Sequence, residues 1–217
     1  MRKDRFVGKG KRHSKTSGPA RPPRHSPQTV AGLRIVGGQY RGRRLIYGGD
    51  ARTRPMKDRL REAVFNLIGP AIKGKHALDL FAGTGALGLE ALSRGADRAT
   101  LIEQHNPTAD TIRQNVTLLA AGQRAEVVVG NVFIWFRREP SLGDKPWAVF
   151  CSPPYDFYLD RTDEMMELLL GLIGAAPSES VFIVEADERF DFTTLPDSQA
   201  WDVRPYPPAV VGIFRKE

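Results

Sequence analysis

The sequence predicts an α/β fold built around a mostly parallel sheet, and three features of the chain lead to this prediction. From residue 77 onward, apolar runs of strand length alternate with segments of helical periodicity, a pattern typical of βαβ units. A glycine-rich turn follows the first of these strands directly. The last two strand-like runs are separated only by a short proline-rich segment, which favours an antiparallel pair near the end of the chain.

Two N-terminal elements precede this alternating region. Short apolar runs at 33–36 and 44–47 are separated by glycines, and this arrangement predicts a β-hairpin. A segment that opens at Arg54-Pro55 and ends at Gly69-Pro70 has apolar residues at helical spacing, which predicts an amphipathic helix. These apolar positions are Leu60, Val64, Phe65 and Ile68.

The remaining elements follow in chain order without an internal repeat. Runs rich in β-branched and aromatic residues predict the strands, and 3.6-residue periodicity predicts the helices between them. We assign strands to residues 77–81, 99–103, 125–129, 147–151, 180–185, 201–204 and 210–214. We assign helices to residues 86–94, 107–120 and 161–173.

The charge of the chain is unevenly distributed. The 217 residues suit one domain with a short appendage, and their formal net charge is +7. Residues 1–62 carry 18 basic and 4 acidic side chains, whereas residues 63–217 carry 14 and 21. Residues 1–30 are rich in Gly, Pro and Ser, so we expect a disordered basic arm that serves either phosphate contact or solvation. We expect residues 31–70 to contact a polyanion and residues 71–217 to form the core.

Composition excludes several classes of protein. No apolar run approaches the ~20 residues of a membrane-spanning helix. The single cysteine, Cys151, has no partner within the chain for a disulfide, and the four histidines form no cluster at the spacing of a structural zinc site. We therefore expect a cytoplasmic protein with no membrane contact and no metal.

The glycine-rich turn after the first strand predicts a nucleotide-shaped ligand. Gly83, Gly85 and Gly88 satisfy the dinucleotide-binding fingerprint, and Glu103 ends the next strand, where an acid can bind ribose hydroxyls. A nicotinamide cofactor is one alternative. Asp79 argues against it, because a carboxylate four residues before the first glycine disfavours a pyrophosphate and favours a ligand with a cationic part, such as S-adenosylmethionine.

A second motif, Ser152-Pro153-Pro154-Tyr155, follows the strand at 147–151. Two prolines end the strand at the carboxyl edge of the sheet, where ligands of open α/β sheets bind. Because proline has no N–H, backbone carbonyls remain to accept hydrogen bonds from an amine, and Tyr155 offers a ring for stacking on a base. The motif therefore predicts a site for an exocyclic NH₂ group.

These motifs resemble those of a known family. Residues 79–85 resemble motif I of class I S-adenosylmethionine-dependent methyltransferases, and residues 152–155 resemble the Asp/Asn/Ser-Pro-Pro-Tyr/Phe motif of those that methylate exocyclic amines. Residues 33–43, 54–66 and 81–95 together resemble the RsmD-like family, which methylates a guanine N2 amine of small-subunit (16S) rRNA. The resemblance implies a Rossmann-like, seven-stranded class I methyltransferase sheet, with the hairpin and first helix beside the cofactor cleft.

The resemblance also implies the site residues. The cofactor residues are Asp79, Phe81, Gly83, Thr84, Gly85, Glu103, Asn131 and Val132. The catalytic residues are Ser152, Pro153, Pro154 and Tyr155. From the charge pattern we expect RNA contacts from Arg41, Arg43, Arg54, Arg59 and Arg61, with solvation of a helix face as the alternative for the last three. The chain departs from the family at Ser152, where an acid is usual, and at Gln104-His105.

Three functions follow from these observations. The first is S-adenosylmethionine-dependent methylation of small-subunit rRNA, naked or in an assembling 30S particle, by a monomer. The second is methylation of an adenine or cytosine amine of DNA, which the two motifs explain equally well. The third is nucleic-acid binding without catalysis, which only the missing acid at Ser152 supports.

Overall fold

A computed structural model of the chain describes Met1, residues 32–47 and residues 55–217. The predicted basic arm at 1–30, apart from Met1, lies outside the described residues, as does Arg54. The seven strands form one sheet in the order β3-β2-β1-β4-β5-β7-β6. Their bounds are β1 His76–Asp79, β2 Arg98–Glu103, β3 Ala125–Val129, β4 Trp147–Cys151, β5 Val181–Asp187, β6 Asp202–Tyr206 and β7 Ala209–Arg215.

The sheet is parallel except at its C-terminal end. Strands β1 to β5 pair in parallel, and β7 pairs antiparallel with both β5 and β6. The predicted α/β class, the seven strands and the terminal antiparallel pair are confirmed. This is the sheet of class I methyltransferases, as the resemblance implied.

Within the described residues, six α-helices cover the two faces of the sheet. They are α1 Asp58–Ile68, α2 Ala86–Ser93, α3 Asn106–Leu118, α4 Val132–Arg137, α5 Phe157–Asp160 and α6 Thr162–Ala175. The four predicted helices are present within a few residues of their expected ends. The two short helices α4 and α5 were not expected from the sequence.

Alternate residues of each central strand enter two different apolar clusters. Ala77 of β1 packs in the cluster that contains Leu89 of α2 and Ile112 of α3, whereas Leu78 packs in the cluster that contains Leu168 of α6. Strand β4 is buried along its whole length. This burial on both faces explains the continuous apolar runs, since a parallel strand covered by helices has no solvent-facing side.

The predicted hairpin at 33–36 and 44–47 is looser than expected. The chain does reverse there, and Leu45 N–H donates to the Leu33 carbonyl at 2.9 Å. However, the only bridge in this segment of the described chain joins Arg34 and Arg44, so no regular two-stranded ladder forms. Leu33 and Leu45 belong to the same apolar cluster as α1 and β1, so the hairpin shares the core of the sheet.

Helix α2 accepts hydrogen bonds from three backbone N–H groups of the hairpin, whereas Ile35 N–H and Leu45 N–H donate to the opposite arm. Val36 N–H and Gly37 N–H donate to the two carboxylate oxygens of Glu90, at 2.8 and 2.7 Å. Tyr40 N–H donates to Ser93 Oγ at 2.9 Å. Because these donors bind side chains of α2, they are not available for a ladder, and the hairpin is held against the helix that follows the glycine-rich turn.

Arg61 of α1 is fully buried, which contradicts the expectation that it contacts RNA. Its guanidinium lies 2.8 Å from Asp58 Oδ1 and 3.7 Å from Glu90 Oε2, and it donates to the Met56 carbonyl. A phosphate therefore has no access to it. The helical pattern had placed Arg61 on an exposed face because a buried, paired arginine has no distinct signal in periodicity.

No helix in the described ranges is long and apolar enough to cross a membrane.

Candidate functional site

A cleft of about 940 Å³ opens at the carboxyl edge of the sheet. Strand order reverses between β1 and β4, since β2 lies on one side of β1 and β4 lies on the other. The loops after two such strands diverge to opposite faces, which leaves a crevice where open α/β sheets bind ligands. The volume is within the range of sites for cofactor-sized molecules.

The glycine-rich turn forms one wall of this cleft through Gly83 and Thr84. Gly85 begins helix α2 with a φ of +76°, a left-handed conformation that favours glycine. A Cβ atom at Gly85 would lie 2.9 Å from Ile112 Cγ2. The turn can therefore pass between the cleft and helix α3 only with glycine at this position, although Gly85 itself does not line the cleft.

Asp79 lies beneath the turn and not on the wall of the cleft. It is 1% exposed, and its Oδ2 accepts a hydrogen bond from Gly88 N–H at 2.9 Å. Burial raises the pKa of Asp79 to about 7, and the hydrogen bond from Gly88 opposes this rise. A carboxyl with a raised pKa carries less negative charge than the sequence suggested, and the hydrogen bond from Gly88 lets Asp79 support the shape of the turn.

Glu103 takes the place at the cleft that was expected of it. Its side chain is half-buried and lines the cleft at the end of β2. Glu103 Oε2 accepts from Gly83 N–H at 2.9 Å, and Oε1 accepts from His105 N–H at 2.8 Å. The carboxylate therefore joins the loops after β1 and β2. Each carboxylate oxygen has a second lone pair, so Glu103 can also accept hydrogen bonds from ligand hydroxyls.

Asn131 and Val132 line the cleft after β3, as expected. The side-chain oxygen of Asn131 caps helix α4 by accepting from Phe133 N–H at 3.0 Å and from Ile134 N–H at 3.3 Å. This cap starts a helix whose first turn places Val132 and Phe133 against the cleft. The result is an apolar surface suited to a flat ring.

Three phenylalanines continue this surface. Phe81 contacts Phe133 and Phe157 edge to face, with ring centroids 6.1 and 6.0 Å apart, and all three line the cleft. The Arg161 guanidinium lies over the Phe133 ring at 4.2 Å from its centroid. Phe157 therefore belongs to the cleft wall.

The Ser-Pro-Pro-Tyr motif leaves β4 on the other side of the same cleft. Ser152, Pro153, Pro154 and Tyr155 all line it. Ser152 and Tyr155 are half-buried. The motif and the glycine-rich turn, which are about seventy residues apart in sequence, thus meet in one cavity.

Sequence reasoning missed Glu185, which lies beside this motif. Glu185 lines the cleft near the end of β5, and its carboxylate accepts hydrogen bonds from both the Ser152 and the Tyr155 hydroxyls. The available signal was its position: it ends the predicted strand at 180–185, and carboxyl ends of neighbouring parallel strands share one edge of the sheet. The motif thus has a carboxylate partner that its own sequence lacks.

The expected RNA-contacting arginines separate in the structure. Arg59 is exposed and lines the cleft at the start of α1, together with Lys57. Arg41 and Arg43 are exposed on the hairpin, and Arg43 donates to the Leu118 carbonyl at 3.0 Å. Arg54 lies outside the described residues, and Arg61 is enclosed. The accessible cations therefore lie on the hairpin and on the rim formed by α1.

The residues that line the cleft are suited to positioning a ligand. Cys151 is buried and its pKa is raised to about 12 by burial, so it is not a nucleophile. Among the described residues, no group of three or more His, Cys, Asp or Glu side chains is arranged to hold a metal ion. The cleft instead offers an apolar ring-binding wall, a carboxylate for hydroxyls and a set of hydrogen-bond acceptors at the motif.

Comparisons with known proteins agree with this geometry. A family model described as Conserved hypothetical protein 95 matches residues 33–202. The chain is 38% identical over 164 residues to ribosomal RNA small subunit methyltransferase D of Escherichia coli K12, covering 76% of this chain and 79% of that one. It is 31% identical over 159 residues to the putative rRNA methyltransferase YlbH of Bacillus subtilis, covering 72% and 83%.

Solved structures share the fold. The putative methyltransferase yhhF from Escherichia coli superposes with a TM-score of 0.69 at 32% identity, covering 85% of this chain and 98% of that one. An RNA methyltransferase from Salinibacter ruber, in complex with S-adenosyl-L-homocysteine, superposes with a TM-score of 0.55 at 15% identity, covering 74% and 92%. At that identity the second likeness concerns the fold alone.

Proposed function

This chain belongs to the family of ribosomal RNA small subunit methyltransferase D, and from that premise we propose that it transfers a methyl group from S-adenosylmethionine to the exocyclic N2 amine of a guanine in small-subunit rRNA. One observation carries the proposal. A single cleft is lined on one side by the cofactor-type loops and on the other by the amine-binding motif. An enzyme that transfers a methyl group from a cofactor to an amine needs both binding sites in one cavity.

The residues of the cleft fit S-adenosylmethionine. Glu103 can accept hydrogen bonds from the ribose hydroxyls, and the surface formed by Val132, Phe133 and Phe81 can hold the adenine ring. Gly83 and Thr84 can follow the outline of the ligand closely, since the glycine at position 85 lets the turn pass where an added Cβ would lie 2.9 Å from Ile112 Cγ2. When bound, the cofactor supplies an electrophilic methyl carbon on a positively charged sulfur.

Catalysis by this chain consists of holding the amine in line with that carbon. The guanine N2 lone pair is delocalised into the ring, so the amine is a weak nucleophile. Ser152 Oγ and the Pro153 carbonyl can each accept one N–H of the amine and so direct its lone pair at the methyl carbon. In that position the amine would take the methyl group from the bound cofactor, which would leave as neutral S-adenosylhomocysteine, and the proton that the amine loses would pass to water. Tyr155 can stack on the base, which must leave its helical stack to reach the cleft.

The N-terminal third of the chain binds the RNA substrate. Residues 1–62 carry the excess of basic side chains, and the described part of this segment places Arg59 on the rim and Arg41 on the hairpin. Glu90 binds the hairpin backbone and lies beside Arg61 of α1, so it ties both of the elements that carry these cations to helix α2. We propose that the chain acts as a cytoplasmic monomer on rRNA in the small subunit or its assembling 30S particle.

The experiment that tests this function is methyl transfer from tritium-labelled cofactor to three substrates: small ribosomal subunits, naked small-subunit rRNA and duplex DNA. We expect label in one or both RNA substrates and none in DNA. Label in DNA alone would contradict the proposal and favour a DNA amino-methyltransferase. Binding without label in any substrate would favour a non-catalytic nucleic-acid-binding protein.

A further inference from the structure

Glu185 is bound by two hydroxyl groups of the amine-binding motif. Ser152 Oγ donates to Glu185 Oε2, and the Tyr155 hydroxyl donates to Glu185 Oε1 at 2.9 Å. Glu185 is 6% exposed, yet it lines the cleft. Both of its carboxylate oxygens thus face the motif that receives the substrate amine.

The sheet fixes this arrangement. Cys151, which precedes Ser152, pairs with Val184, and Glu185 pairs with Val211 of the antiparallel strand β7. Strand β5 is held on both sides, so the Glu185 carboxylate has little freedom to leave the motif. The contact with Ser152 therefore follows from strand register and not from a flexible loop.

We propose that Glu185 is a positioning residue that sets the hydrogen-bond polarity of Ser152 and Tyr155, so that neither hydroxyl donates to the substrate and Ser152 Oγ faces it as an acceptor. The inference rests on the proposed function. A hydroxyl has one proton to donate and two lone pairs. An ionised carboxylate can only accept, so each hydroxyl must give its proton to Glu185. Toward the cleft, each hydroxyl oxygen then has only lone pairs, so it can accept a hydrogen bond but cannot donate one.

This polarity selects the edge of the base that can enter. Pro153 and Pro154 contribute no N–H donors, so the motif and the two hydroxyls together present acceptors. The N2 amine of guanine offers two N–H donors and fits this surface. A carbonyl oxygen or an unprotonated ring nitrogen would place acceptor against acceptor, and a buried unpaired polar group is strongly disfavoured.

The same carboxylate can stabilise the charge that develops on the amine. The nitrogen becomes cationic as it is methylated, and Ser152 is neutral. The Glu185 carboxylate donates nothing and accepts a hydrogen bond from Ser152 Oγ, and the Glu185 side chain is largely buried. A fixed negative charge at this position favours the transition state over the neutral amine. Strand β5 thus supplies the charge that Ser152 lacks.

The decisive variant is Glu185→Gln, which keeps the size of the side chain and both hydrogen bonds. A glutamine amide accepts from one hydroxyl but donates to the other, so it reverses the polarity of that hydroxyl. We expect kcat for rRNA methylation to fall about tenfold or more, with unchanged thermal midpoint and cofactor affinity. If Glu185 served only to hold Ser152 and Tyr155 in place, the Glu185→Gln variant would keep the wild-type rate. Methyl transfer at the wild-type rate would therefore overturn the inference.

Two matched double variants test the hydrogen-bond polarity of the motif independently of the single variant Glu185→Gln. Ser152→Asp with Glu185→Gln moves the carboxylate into the motif, where it is an acceptor by itself. Ser152→Asn with Glu185→Gln has the same shape but no carboxylate. We expect the double variant with Ser152→Asp to transfer methyl groups about tenfold faster than the double variant with Ser152→Asn, with similar folding by circular dichroism. Equal rates would overturn the inference.

The wild-type chain in the same assay separates this inference from the function on which it rests. A wild-type chain that transfers no methyl group to rRNA contradicts the proposed function, and the inference falls with it. Transfer by the wild type together with an undiminished rate in Glu185→Gln contradicts the inference alone.

Discussion

The guanidinium of Arg61 and the carboxylate of Glu90 lie 3.7 Å apart, and neither side chain is exposed to solvent. Arg61 belongs to α1 and Glu90 to α2, the helix that follows the glycine-rich turn. Glu90 also accepts from Val36 and Gly37 of the hairpin. One buried carboxylate therefore joins the hairpin and helix α1 to the helix that follows the glycine-rich turn.

Replacement of Glu90 with alanine should be strongly destabilising. It leaves Asp58 as the remaining carboxylate partner of Arg61 and removes the acceptor of Val36 N–H and Gly37 N–H. Loss of one partner of a buried pair typically costs about 3–5 kcal/mol. Urea unfolding followed by circular dichroism measures this loss. Asp110→Ala is the matched control, because its pair with Arg113 is exposed and should contribute less than about 1 kcal/mol. Equal losses in the two variants would show that the buried pair does not hold the hairpin.

Asp79→Asn should change the pH dependence of stability. Burial raises the pKa of Asp79 in the folded chain to about 7, above its ordinary value of 3.8, so the fold favours the neutral carboxyl. The stability that this preference contributes is complete below pH 4 and is lost as the pH rises through 7. Asparagine cannot ionise, so the variant should gain on the wild type over this range, by up to about 1.4 kcal/mol per pH unit.

The measurement is the free energy of unfolding in urea at pH 4.5, 6 and 8 for both proteins. The difference between them matters, because it removes the contribution of the other titrating groups. If the free energies of unfolding of the variant and the wild type differ by the same amount at all three pH values, Asp79 is not held in a low-dielectric site.

Gly85→Ala should damage the glycine-rich turn. The residue has a φ of +76°, and an added Cβ would lie 2.9 Å from Ile112 Cγ2, so both strain and overlap oppose the substitution. We expect a loss of about 1–3 kcal/mol of stability, together with weaker cofactor binding by calorimetry. Gly122→Ala is the control, since a Cβ there meets nothing within 4 Å and should leave both quantities near wild type. Undiminished cofactor affinity in Gly85→Ala would count against the turn as part of the cofactor site.

Arg59→Ala should weaken rRNA binding through the loss of one phosphate contact. Arg59 is exposed at the rim of the cleft, so its removal should lower the slope of log affinity against log salt concentration by about one. Filter binding at several salt concentrations measures the slope. Arg98→Gln is the control, because Arg98 begins β2 at the opposite edge of the sheet. A slope that falls equally in the two variants would mean that the rim of the cleft is not where the RNA binds.

The sheet was predictable from the sequence because its physics is local. Strands such as Trp147–Cys151 are buried on both faces, so they appear as continuous apolar runs. The turn at Gly83 and Gly85 follows such a run, and the prolines at 153 and 154 end another. These signals also fix which edge of the sheet carries the site.

What the sequence could not predict depends on contacts between distant residues. Helix α4 consists of five apolar residues followed by Arg137, so it lacks an amphipathic pattern, and the cap by Asn131 marks its start. Arg61 has the composition of an exposed helix face, and its burial depends on Glu90, twenty-nine positions later in the chain. Glu185 reaches Ser152 only because strand β5 lies beside β4. In each case the partner is set by tertiary packing and not by periodicity.

The central claim is that this cleft methylates the N2 amine of guanine. The most direct test is mass spectrometry of nucleosides from small-subunit rRNA after incubation with the full chain and cofactor carrying a heavy-isotope methyl group. We predict labelled N2-methylguanosine, sharply reduced when Ser152→Ala replaces the wild type. Label on an adenine or cytosine amine, or no labelled nucleoside at all, would contradict the claim.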